Sequence, residues 1–144
     1  MDESEATFDN ADRLPALSLV TRKLQRLIDQ GFLEGAPGTL AAELVNHAWA
    51  IRPALFDGRE GRKPHPLAVA AIALAEAVRL ESLRGDAPLQ GIYTLALSAL
   101  LDDIALERET LPLHEIDERL IDAAQAVRLG RLHGDRLDPL RQPT

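Results

Sequence analysis

Two carboxylates pose the first chemical question. Asp103 and Glu107 stand four residues apart in a stretch that reads as helix. At 100° per residue they share one side of it, inside an arc otherwise filled by Ala96, Ala99 and Leu100. Both lie near the negative end of that helix's macrodipole, so each needs a compensating cation. Such a pair binds a metal or moves a proton when a third group joins it, and His47, His114 or Glu76 from other helices are the candidates. The plainer reading is a helix-end salt bridge to Arg79, Arg84 or Arg108. A di-metal bundle site needs Glu-x-x-His repeats, and the chain has none.

The histidines are His47, His65, His114 and His133. His114 with Glu118, and Glu43 with His47, have the i,i+4 spacing at which two ligands share a helix face. His47 and His114 are thus the weak metal candidates. The spacings of known zinc motifs are missing and there is no cysteine, so neither a metal nor a cofactor is expected. Gly-x-Ser-x-Gly, phosphate-binding glycine loops and Gly-x-Gly-x-x-Gly are also missing, which disfavours catalysis.

Cations form a third constellation. Arg22, Lys23 and Arg26 share the outer face of the first helix, and Arg59, Arg62 and Lys63 sit on a Gly/Pro-rich loop. If the fold joined them they would meet a phosphate backbone; the alternative is a solvated helix face and a soluble loop. A helix-turn-helix fits poorly, because seven or eight residues separate the first two helices.

Apolar residues off their stripes form the fourth. Trp49, the single tryptophan, points away from the Leu40, Leu44, Ile51 face, and Leu19 is off-stripe on its own helix. Tryptophan often anchors interfaces; the competing reading is that Trp49 covers the loop or tail within one chain.

The elements that must position these groups are helices. Alanine and leucine dominate, aromatics make up 3%, and β-branched residues are sparse. Period and punctuation give helices over 12–30, 39–52, 66–85, 86–107 and from 112 to about 130 or 134. Asp12 and Gly31 bracket the first, with Pro15 in its opening turn. The third opens with nine apolar residues and carries two greasy faces: Leu67, Ala71, Leu74 and Val78 on one, Val69, Ile72, Leu80 and Leu83 on the other. The fourth is apolar around more than half its circumference, with Gln90, Thr94 and Ser98 as its least apolar strip.

The expected fold is therefore all-α, a five-helix bundle with a central apolar hairpin of the third and fourth helices and flexible termini. Residues 1–11 form an acidic disordered tail, 12–133 one domain with a basic loop at 57–66, and 134–144 a frayed tail. The core should hold Leu17, Val20, Leu24, Leu27, Leu44, Ile51, Leu74, Val78, Tyr93, Leu97, Leu100, Ile104, Ile116, Leu120 and Val127.

Net charge is −7, but residues 1–12 hold Asp2, Glu3, Glu5, Asp9 and Asp12 and no cation, which leaves −2 for the rest. That balance disfavours nucleic acid as a partner. The acidic start differs from a secretory signal, and the uncharged run 87–101 is too short and polar to span a bilayer. With no cysteine, the expected compartment is the cytoplasm. The Arg-over-Lys, Ala/Leu-rich composition suits a high-GC bacterial genome.

What stands out is surfaces, so the expected function is non-catalytic contact with another protein chain, as an adaptor, inhibitor, antitoxin-like or assembly factor. A symmetric dimer is the simplest version, with Val69, Ile72, Leu80, Leu83 and Leu19 as outer residues and Trp49 as anchor. The alternatives are a small helical enzyme or metal-binding protein using Asp103 and Glu107, and a nucleic-acid-associated regulator.

Overall fold

A computed structural model of the chain describes residues 3–51 and 64–130, with side-chain detail from Pro15 onward. Five helices follow in order: α1 (Glu3–Asp29), α2 (Pro37–Ile51), α3 (Pro66–Arg84), α4 (Ala87–Glu107) and α5 (Glu115–Arg128). The described residues contain no strand. The protein is an all-α helical bundle.

Local chemistry sets most boundaries. α3 starts with Pro66 in its first turn, where proline's fixed φ suits the helix and its missing N–H is not needed. His65 caps it, Nδ1 accepting from the Leu67 N–H at 3.1 Å. At the other end Gly85 takes the left-handed φ of 81° that a side chain resists. There the N–H of Gly85 bonds to Ser82 O and that of Asp86 to Glu81 O, closing the last turn. Asp86 then caps α4, accepting from the Leu89 N–H at 3.0 Å. The α3–α4 hairpin thus turns through one glycine and one aspartate.

α1 departs from the expected limits. It begins at Glu3 instead of Asp12. Pro15 consequently lies inside the helix, without the N–H that would reach the carbonyl of Ala11.

α3 is the axis of the bundle and packs against each of the other four helices. Every residue from Ala68 to Val78 is buried, and six of these are alanines, at 68, 70, 71, 73, 75 and 77. Small side chains on all sides let four helices approach one. α4 packs on α3, α1 and α5 but leaves an outer strip uncovered. Among the described residues it is the helix long and apolar enough to cross a membrane, with a mean hydropathy of 1.3. A bundle-core helix passes the same test.

Val20, Leu24, Leu27, Leu74, Val78, Tyr93, Leu97, Leu100, Ile104, Leu120 and Val127 are buried as their periodicity predicts. Leu17, Leu44, Ile51 and Ile116 are only partly covered. On α2 the reason is a rotation of the helix: Ala41, Val45 and Ala48 face inward, while Leu40, Leu44 and Trp49 pack against the core from the edges.

Candidate functional site

Arg22, Lys23 and Arg26 fall on the side of α1 that neighbours α4, the Arg22-to-Arg26 step being one helical turn. Asp103, about four-fifths of the way along α4, meets them from the other side: its Oδ2 forms an ion pair with Lys23 Nζ. Lys23 is 14% exposed and Asp103 48%. Together with Leu19 these four residues line a cleft of about 240 Å³. The structure thereby joins two constellations that the sequence left separate, the basic face of the first helix and an acid of the fourth.

The cation that answers Asp103 is therefore Lys23 on α1. The three expected partners are engaged elsewhere: Arg79 with Glu76 at 3.0 Å, Arg84 with Glu81 at 3.3 Å and Arg108 with Glu118 at 3.7 Å. Periodicity places residues on a face but does not say which helix lies opposite, and Lys23 is 80 residues away in sequence.

Glu107 is exposed at the end of α4 and does not line the cleft. His47 is partly buried on α2, with Nε2 unpartnered among the described residues. His114 caps α5 and pairs with Asp117, Nε2 to Oδ2 at 3.2 Å. Among the described residues no three His, Asp or Glu side chains converge in a way that could hold a metal ion.

The residues expected to line an interface divide. Val69 and Ile72 are 4% and 1% exposed and belong to the core of this chain, because α3 is surrounded on all sides. Leu80 and Leu19 are partly covered, and Leu83 is exposed in the last turn of α3. Trp49 packs partly buried against the core. Arg59, Arg62 and Lys63, with the rest of the basic loop up to Lys63, lie outside the described residues.

Three features escaped the sequence reading. Leu95 and Leu106 stand out on the outer strip of α4, at 49% and 84% exposed, flanked by exposed Gly91, Asp102 and Ala105. Their spacing of eleven residues, three helical turns, was visible but masked by a helix apolar around more than half its circumference. Asp117 is fully buried, and its spacing of three from the cap His114 was the available signal. Tyr93 is pushed above its ordinary phenol range of 10.0, chiefly by burial and then by Glu81 and Glu43, against a lowering by Arg84.

In comparison with known proteins, the chain matches no family model, no curated protein and no solved structure.

Proposed function

We propose that this chain is a non-catalytic protein-interaction module whose contact surface is the outer strip of α4. One observation carries the reading: α4 is apolar around more than half its circumference, yet only its inner side is covered, so Leu95 and Leu106 stay in water beside Gly91, Ala105 and the single acid Asp102. A helix of that pattern ordinarily lies covered on all sides. From Gly91 to Leu106 the strip runs for about 22 Å, and a single helix face falls below the standard interface of about 1,600 Å². The contact therefore belongs to the weak, transient class unless further surface joins it.

A second copy of the chain is the simplest partner, because an isologous contact needs only one such strip. Light scattering at about 100 µM is the test, a concentration suited to micromolar affinity. The expected result is a mass above the monomer that returns to the monomer in the Leu95→Asp/Leu106→Asp double variant, with helicity unchanged. A chain that stays monomeric, and that captures from its host nothing the double variant fails to capture, removes the reading.

A further inference from the structure

We propose that the cleft between α1 and α4 binds the phosphate group of a small phosphate ester, gripped by Arg22 and Arg26 with Lys23 as a third cation. The cleft presents three cations against one carboxylate on a chain whose net charge is −7. Lys23 is answered by Asp103. Arg22 and Arg26 are exposed and make no ion pair or hydrogen bond among the described residues, whereas Arg79, Arg84 and Arg108 are all paired.

Like charges one turn apart work against a helix. Arg26 is offset by its place in the last turn of α1, where a cation favours the dipole, but Arg22 stands a full turn earlier and has no such compensation. A tetrahedral anion between the two would relieve both, since each guanidinium offers a planar fork of donors that matches two phosphate oxygens. Lys23 uses Nζ toward Asp103 and, with three donors, retains others for the anion.

The walls limit what enters. Leu19, one turn before Arg22 and Lys23, supplies an apolar side for the carbon part of an ester. At about 240 Å³ the space is below the range of roughly 300–1,000 Å³ that takes drug-sized ligands, so it suits a phosphate with a short stem. A nucleic-acid strand laid along the cleft would meet the carboxylate of Asp103 in its wall, which disfavours a long polyanion.

The test is titration of the full chain at low ionic strength with phenyl phosphate and with inorganic phosphate, followed by calorimetry or amide shifts. Saturable one-to-one binding is expected, weakened at least about tenfold in the Arg22→Gln/Arg26→Gln double variant and weakened by added salt. Arg22→Lys, which keeps the charge but loses the fork, should fall between. Arg108→Gln, which alters an exposed arginine away from the cleft, should bind as the parent does. No saturation by about 10 mM, far beyond a millimolar dissociation constant, overturns the proposal, as does equal weakening in Arg108→Gln. A duplex oligonucleotide bound more tightly than phenyl phosphate, and lost in the same double variant, would reassign the cleft to a nucleic-acid backbone and equally overturn it.

Discussion

The carboxylate of Asp117 accepts the backbone N–H of His65 at 2.7 Å, joining positions 52 residues apart in sequence. Its other oxygen takes the backbone N–H of His114 at 3.4 Å and faces Nε2 of the same residue at 3.2 Å. One fully buried acid in the first turn of α5 thus fixes the start of α3 as well as its own helix. A carboxylate offers an acceptor oxygen to each of the two backbone N–H groups, whereas an amide has one acceptor oxygen and a donor-only NH2.

Asp117→Ala should therefore be among the more damaging single changes. It strands the His65 N–H and removes the partner of His114, and leaving buried polar groups unmet costs about 1–3 kcal/mol each. A loss of about 3 kcal/mol, read as a lower urea midpoint at constant slope, is the expected outcome. Asp117→Asn keeps one acceptor for His65 and should cost clearly less. A difference too small to measure between the two variants would mean that the bond to His65 contributes nothing.

The Lys23 and Asp103 pair should respond asymmetrically. Asp103→Asn leaves an ammonium that is 14% exposed without its counter-charge, whereas Lys23→Met leaves a carboxylate that is about half in water. Removing Asp103 is expected to cost about 1–2 kcal/mol, and removing Lys23 less than about 1, within the modest range of partly exposed pairs. A double-mutant cycle by chemical denaturation separates the pair's coupling from the packing of the lysine stem.

Two leucines on one helix should behave as opposites. Leu100 is fully buried and Leu106 is 84% exposed, six residues further along α4. Leu100→Ala is expected to cost on the order of 2–5 kcal/mol. Leu106→Ala should stay within about 0.5 kcal/mol of the parent, as surface changes do. A thermal or urea series on both checks the face assignment of α4 independently of any partner.

Tyr93 gives a pH dependence whose sign follows from its burial. Its folded-state pKa is raised, so the folded chain holds the phenolic proton more tightly than the unfolded chain does. That contribution is fully present below the ordinary phenol value of 10.0 and is lost as pH rises through the higher folded value. Stability measured from pH 9 upward should fall, and Tyr93→Phe should flatten the fall. An unchanged alkaline slope in the variant would assign the loss to other groups.

The helices were legible because their signals are local. Gly85 followed by Asp86, Pro66 after His65 and the breaks at Gly31 and Pro112 all act within a few residues, and the observed elements start and stop near them. α1 is the exception: no strong break precedes Asp12, and the helix continues back to Glu3. Which face turns inward was harder. On α2 the leucine stripe and the inward face of Ala41, Val45 and Ala48 differ by part of a turn, because close approach to α1 and α3 favours the smaller side chains.

The cleft was half visible. Arg22, Lys23 and Arg26 are a helical pattern that sequence shows, and Asp103 was singled out for its odd position. That they meet depends on α1 crossing beside α4, a long-range relation with no local trace. The same limit hid Asp117, whose importance comes from a backbone N–H on another helix.

The run of alanines along α3 also constrains how this protein can change. Because the axis is surrounded by four helices, a larger side chain at Ala70, Ala71, Ala73 or Ala77 must push a neighbouring helix outward, and overpacking of that kind typically costs about 1–3 kcal/mol. The shell has no such restriction, since α1, α2, α4 and α5 each keep one side in water. Variation should accordingly be distributed by radius: a saturation library would find the middle of α3 nearly closed to substitution while the outer faces drift freely. Any new binding specificity then has to be built on the rim, around a centre that stays fixed.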